Sequence, residues 1–162
     1  MNKQEIYALL DSENIWHEVT EHEAVYNMAE AAALEMPYPE ADAKNIFVRD
    51  DKKRNYYLIT VKGDKRVDLK SFRQQHGTRS LSFASADELA DMLGLIPGAV
   101  TPLGLLNGRD GRVQFWLDRS FLDFPGLIGV HPNDNTATVW LKTEDLMALL
   151  RRNGTQVTLF EA

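Results

Sequence analysis

Three stretches of this chain hold groups that could do chemistry. Lys44 begins the run Lys44-Asn45-Ile46-Phe47-Val48, whose apolar end has strand character. A lysine at the end of a buried strand can aim its ammonium into a cleft, where it binds a phosphate or steadies an anionic intermediate. By position alone it equally fits a solvated strand end. The loop Gly98-Ala99-Val100-Thr101-Pro102 sets a glycine and a proline four residues apart. Such a loop can present bare N–H and C=O groups to a ligand, and it can also be an ordinary connection between a helix and a strand. His131 precedes Pro132 in the polar turn Asn133-Asp134-Asn135. Its imidazole can orient a ligand or a water, or bond the turn's own backbone. The two asparagines suit turn formation.

These groups need elements to position them. Asn2-Lys3-Gln4-Glu5 is a capping box opening a first helix, and Trp16 to Thr20 reads as a short strand. Asn27-Met28-Ala29-Glu30 is a second capping box, leading an alanine-rich helix to about Glu35, stopped by Pro37 and Pro39. Lys44 to Val48 and Tyr56 to Val61 form a hairpin around the polar loop Asp50 to Asn55. Asp68 caps a helix from Leu69 to His76 that Gly77 ends, and Ser85-Ala86-Asp87-Glu88 opens a helix to Leu93 that Gly94 ends. Strands are expected at Leu81 to Phe83, Val113 to Leu117, Leu127 to Val130, Ala137 to Leu141 and Gln156 to Phe160. Thr143 is placed as the cap of a last helix, Glu144 to Arg152. Short turns between strand pairs require antiparallel neighbours. The expected class is α+β, one domain over residues 1–162, with a mixed, mostly antiparallel sheet flanked by helices.

Composition narrows the chemistry. With no cysteine among 162 residues, disulfides, thiolate nucleophiles and thiolate metal sites are excluded. There is no phosphate-binding P-loop, dinucleotide fingerprint, zinc-binding His-Glu-x-x-His or nucleophile elbow. No metal or other cofactor is expected. No apolar run approaches a membrane span or a signal peptide, which fits a cytoplasmic protein without a membrane partner. The formal charge of −6 argues against DNA binding through an overall field, so nucleic-acid contact must be local, brief or assisted. The basic runs Lys52-Lys53-Arg54 and Lys62 to Arg66, with Arg73 and Arg79, can touch phosphates or form a solvated face.

Taken in order, five segments resemble one family: Lys44-Asn45-Ile46-Phe47, Tyr56-Tyr57-Leu58-Ile59, Gly63 to Leu69, Gly98 to Pro102, and His131 to Val139. They resemble the YbaK/prolyl-tRNA-synthetase-associated editing superfamily, and within it the free-standing ProX-type prolyl-tRNA editing proteins. The resemblance covers nearly the whole chain. It implies an α+β fold with a mixed sheet and hydrolysis of amino acids wrongly attached to transfer RNA. It places the family's strand lysine on Lys44 with Asn45 beside it, its Gly-x-x-x-Pro substrate loop on Gly98, Ala99, Val100, Thr101 and Pro102, and its later histidine on His131.

The implied enzyme is a deacylase acting in trans, without a covalent intermediate, on the acceptor end of mischarged tRNA. Alanine on proline tRNA is the first substrate choice, with cysteine or serine on a tRNA next. Lys44, Gly98 and His131 are the expected catalytic group. Met28, Ala32 and Phe47 are the expected walls of a pocket for a small side chain. Prolyl-tRNA synthetase or an elongation factor are expected as transient partners. A non-catalytic module that binds aminoacyl-tRNA or a synthetase is the alternative.

Overall fold

In a computed structural model the protein is described at residues 1–24, 36–108 and 111–162. The second capping box, its alanine-rich helix, Met28 and Ala32 lie outside the described residues. Helix α1 (Lys3–Ser12) opens with the expected capping box: Glu5 N–H donates to the Asn2 side chain, and the Glu5 carboxylate accepts from Asn2 N–H. It buries Ile6 and Leu10. Strand β1 (His17–Glu21) follows. Strands β2 (Ala43–Asp50) and β3 (Tyr56–Lys62) make the expected hairpin. Asp50 shapes its loop by accepting from Lys52 N–H, Arg54 N–H and the Asn55 amide.

Helix α2 (Leu69–His76) starts at the Asp68 cap and stops at Gly77, which adopts φ 67°. Strand β4 (Leu81–Phe83) leads to helix α3 (Ala86–Leu93), capped by Ser85 and closed by Gly94 at φ 64°. Then come β5 (Val113–Asp118), β6 (Leu127–Val130), β7 (Ala137–Lys142), helix α4 (Thr143–Arg152) and β8 (Val157–Phe160).

The α+β class and the predominance of antiparallel pairs hold, but the strands divide between two sheets. The larger has the order β4-β2-β3-β5-β8, with β3–β5 and β5–β8 parallel. The smaller is antiparallel, β1-β7-β6. The β1–β7 pairing joins residues more than a hundred positions apart, which no local turn signals. A core cluster fills the space between the sheets. It takes Phe47, Leu58 and Phe115 from the larger sheet, Ile128 and Val139 from the smaller, and Leu146 and Leu150 from α4. The other face of the larger sheet packs Val48, Ile59 and Val61 against Phe72 of α2. Burial on both faces explains why β3 is apolar without alternation.

Leu103 to Leu106 lie in a 3-10 helix, Pro102–Asn107. One local expectation changes. Thr143 is the first residue of α4 and not its cap, because its hydroxyl donates to the buried Phe121 carbonyl at 2.8 Å. Lys142 takes the cap position without a side-chain bond, and Glu144 and Asp145 set favourable negative charge in the first turn.

The smaller sheet has little space to spare. Gly129 pairs with Trp140, and a Cβ on Gly129 would lie 2.2 Å from the Trp140 ring. Gly129→Ala should destabilise the protein by about 1–3 kcal/mol through overpacking. The check is the denaturant midpoint at unchanged slope.

Candidate active site

The loop between β6 and β7 carries His131. Its Nδ1 donates to the Ala137 carbonyl at 2.9 Å. A carbonyl only accepts, so the proton sits on Nδ1, and the neutral ring keeps an acceptor at Nε2. Burial is the main influence holding His131 below the usual histidine range. His22 pushes the same way, while the Ala137 bond and the charges of Asp42 and Asp134 oppose it. The His22 ring lies edge-on to His131 at 6.2 Å between centroids, with its Nε2 3.0 Å from the Thr138 hydroxyl. The turn that follows His131 is braced. Asp134 accepts from Thr136 N–H at 2.8 Å, Lys3 donates to the Thr136 hydroxyl at 2.9 Å, and the Asn133 amide donates to the Met1 carbonyl at 2.9 Å.

The Gly98–Pro102 loop meets this turn. The fully buried Thr101 hydroxyl donates to the His131 carbonyl at 2.6 Å and accepts from Leu103 N–H, capping the 3-10 helix. Gly98 takes φ 93°, which a side chain at that position would oppose. Ala99 is 1 % exposed, and its N–H donates to Ile96. The N–H groups of Gly98 and Val100 have no acceptor among the described residues. Pro102 is buried and starts the 3-10 helix.

Lys44 pairs with Val61, and pleating sets it with Ile46 and Val48 on one face, Asn45 and Phe47 on the other. Its ammonium makes no hydrogen bond or ion pair among the described residues. Asn45 accepts from the buried Thr60 hydroxyl at 2.6 Å. Phe47 belongs to the core and stacks on Tyr56 at 5.8 Å. Thr101 and His131 are thus in direct contact, whereas no hydrogen bond among the described residues joins Lys44 to either.

Two residues that the sequence reading passed over belong to this neighbourhood, His22 and Asp42. Asp42 is exposed as a residue, but its carboxylate covers Gly63, where a Cβ would meet Oδ2 at 2.6 Å. This partial desolvation raises its pKa, while the Ala43 N–H and, in its protonated form, His131 pull the other way. An open cleft of about 520 Å³ is lined by Asp42, Lys62, Gly63 and Asp64. Position offered one signal: Asp42 stands two residues before Lys44. His22 could not be placed, since only the β1–β7 pairing brings it here. A second cavity, about 430 Å³ between Met92, Leu105 and Arg112, holds none of these residues. No group of three or more His, Asp or Glu suited to a metal occurs among the described residues.

Residues 22–149 match the family described as aminoacyl-tRNA editing domain. The chain belongs to that family. It is therefore an editing enzyme, a hydrolase of the aminoacyl-tRNA ester. It is 38% identical over 152 residues to the prolyl-tRNA editing protein ProX of Acetoanaerobium sticklandii, covering 94% of this chain and 92% of that one. It is 36% identical over 140 residues to prolyl-tRNA synthetase associated domain-containing protein 1 of Mus musculus, covering 85% and 82%. A solved structure described as a candidate trans-editing enzyme for prolyl tRNA synthetase shares the fold, with a TM-score of 0.68, 21% identity, and 99% and 96% of the two chains covered.

Because burial lowers the His131 pKa, its imidazole should titrate below 6.5 with the proton on Nδ1, as read by NMR. The unfolded chain binds that proton first on acidification. The contribution to stability is therefore present above pH 6.5 and is lost as pH falls through the folded value. His131→Gln should remove this part of the stability-versus-pH slope.

Proposed function

We propose that the chain is a free-standing proofreading enzyme that hydrolyses mischarged proline tRNA, with alanine on proline tRNA as its main substrate. The similarity to proteins named for prolyl-tRNA editing supports the choice of tRNA. Elementary discrimination supports alanine. A pocket built for proline rejects a smaller side chain by only about 1–3 kcal/mol per methylene, so a second site that admits small side chains has an error to correct. Cysteine and serine are the next candidates.

The observation that carries the site assignment is the Gly98–Pro102 loop. It is anchored by Thr101 to the His131 turn, with the N–H groups of Gly98 and Val100 unclaimed among the described residues. In the proposed reaction a water oxygen adds to the ester carbon, and negative charge develops on the carbonyl oxygen. The loop N–H groups receive that oxygen. The C–O bond to the ribose then breaks, and the ribose oxygen takes up the proton lost by the water. The vicinal ribose hydroxyl positions or activates the water. Lys44 holds the terminal phosphate or the ribose side. Asn45, paired with Thr60, keeps the start of β2 in place beside it. His131 shapes the pocket, its Nε2 serving as an acceptor. Ala99, Val100 and Thr101 contact the aminoacyl group, Pro102 sets the exit of the loop, and Met28, Ala32 and Phe47 complete the walls. The reaction belongs in the cytoplasm, with prolyl-tRNA synthetase or an elongation factor met transiently on the tRNA.

The test is deacylation of proline tRNA charged with alanine, cysteine, serine or proline, at catalytic protein concentration. Alanine should be released with many turnovers while proline is spared. Lys44→Ala should lower kcat/KM about 10- to 100-fold, the scale of losing one charged hydrogen bond to the substrate. Turnover on cysteine or serine alone would move the specificity. Absence of turnover on all four would leave a binding module as the function.

A further inference from the structure

The charge of this protein is unevenly distributed. Residues 49–79 hold ten Lys and Arg against four Asp, a local charge of +6, while the rest of the chain carries −12. The fold gathers this segment into one ridge. Helix α2 lies on the outer face of the larger sheet, with Phe72 buried and the His76 ring packed on Phe72 and Trp116 at 4.5 and 4.7 Å. Lys70 and Arg73, three residues apart, are therefore on its outward side and exposed. Past the helix, Arg79 clasps Asp51 with two bonds, Nε–Oδ1 at 2.6 Å and Nη2–Oδ2 at 3.1 Å. That fork stitches the end of α2 to the β2–β3 hairpin tip, where Lys52, Lys53 and Arg54 are exposed.

Three of the four acids of the segment have structural duties. Asp50 is buried under the hairpin loop, Asp51 holds Arg79, and Asp68 caps α2. Lys52, Lys53, Arg54, Arg66, Lys70 and Arg73, by contrast, carry no side-chain hydrogen bond or ion pair among the described residues. Six exposed cations outside any hydrogen bond or ion pair among the described residues, Lys52 and Lys70 only loosely balanced by Asp51 and Asp68, form a local track for a polyanion. The track starts at the turn after β3, where Gly63 N–H donates to the Asp42 carbonyl at 2.9 Å beside the candidate active site. It ends at the hairpin tip, about 26 Å away by the eight-residue length of β2.

We propose that this ridge, α2 with the β2–β3 hairpin tip, docks the phosphate backbone of the RNA substrate. The inference rests on the function proposed above. A reacting ester at one extreme end of an RNA requires the remaining RNA to leave the site across the protein surface, and the ridge is where unpaired positive charge continues from that site. It reads phosphates and not bases, so it supplies affinity while the pocket supplies selectivity.

The test compares alanyl-tRNA with 3′-O-alanyl-adenosine, which bears the ester without the RNA. The variants are Lys70→Gln/Arg73→Gln, Lys52→Gln/Lys53→Gln/Arg54→Gln, and a control that removes charge from other elements, Lys142→Gln/Arg151→Gln. Each ridge variant should lower the ratio of kcat/KM for tRNA over the adenosine ester by about tenfold. Each should also make the salt dependence shallower, by about 0.9 in log–log slope for every phosphate the variant no longer holds. The control should stay within about twofold. Ridge variants that match the control, or that fall equally on both substrates, would overturn the ridge. Should wild type turn over neither substrate, the deacylase reading fails. Equilibrium binding of uncharged tRNA then decides the ridge separately, tenfold weaker binding supporting it. Undiminished tRNA binding with impaired capture of prolyl-tRNA synthetase would replace RNA by an acidic protein surface.

Discussion

The hydrogen bond from the Thr101 hydroxyl to the His131 carbonyl joins two parts of the chain that share no strand pairing. Thr101 lies fully buried at the start of a 3-10 helix, and His131 begins the turn between two strands of the smaller sheet. Leaving that carbonyl or that hydroxyl unpaired would cost about 1–3 kcal/mol, so the loop and the turn hold each other. The bond also leaves the ring of His131 free to be oriented from elsewhere, and the Ala137 carbonyl does so. Without this junction Gly98–Pro102 would be a surface connection, and its N–H groups would have no fixed direction.

The hairpin that carries Lys44 is secured at both ends by carboxylates. Near the loop, Glu88 closes the α3 capping box by accepting from Ser85 N–H. It also takes the Tyr56 hydroxyl at 2.5 Å and Arg49 at 3.3 Å. Those bonds, the Ser85 N–H first, hold its pKa down to about 2. At the other end Asp118 is 1 % exposed. It accepts from Lys62 N–H at 3.1 Å and the Ser120 hydroxyl at 2.7 Å, and pairs with Lys65 at 2.9 Å. Burial alone would raise its pKa, and these partners outweigh burial. Losing Lys65 would leave Asp118 a buried, uncompensated charge, so that end resists distortion. The start of β2 is thereby placed beside Asp42 and the cleft, with Lys44 uncommitted among the described residues.

Local signals in the chain were strong where one residue decides the backbone. Asn2 with Glu5, Ser85 with Glu88, Asp68, Gly77 and Gly94 set helix ends that agree with the structure to the residue or nearly so. Thr143 reads as a cap by type, yet its hydroxyl is drawn to the Phe121 carbonyl, a partner 22 residues away. Strand positions were legible from apolar runs, but partners were not. β3 beside β5 and β1 beside β7 depend on which faces must be buried together.

The order of five segments, among them those of Lys44, Gly98–Pro102 and His131, was enough to indicate the editing family by resemblance. The arrangement of these residues in space was not legible. His22 and Asp42 reach the His131 neighbourhood only through the β1–β7 ladder and the entry to β2. Likewise, scattered basic runs become one face only when α2 packs on the sheet and Arg79 closes on Asp51. The elements, their ends and the residue types available for catalysis were legible along the chain, since each depends on neighbours within a few positions. Which groups share a dielectric, a cleft or a charged surface was settled by the three-dimensional packing. Those properties arise from burial and long-range pairing, and no window along the chain contains them.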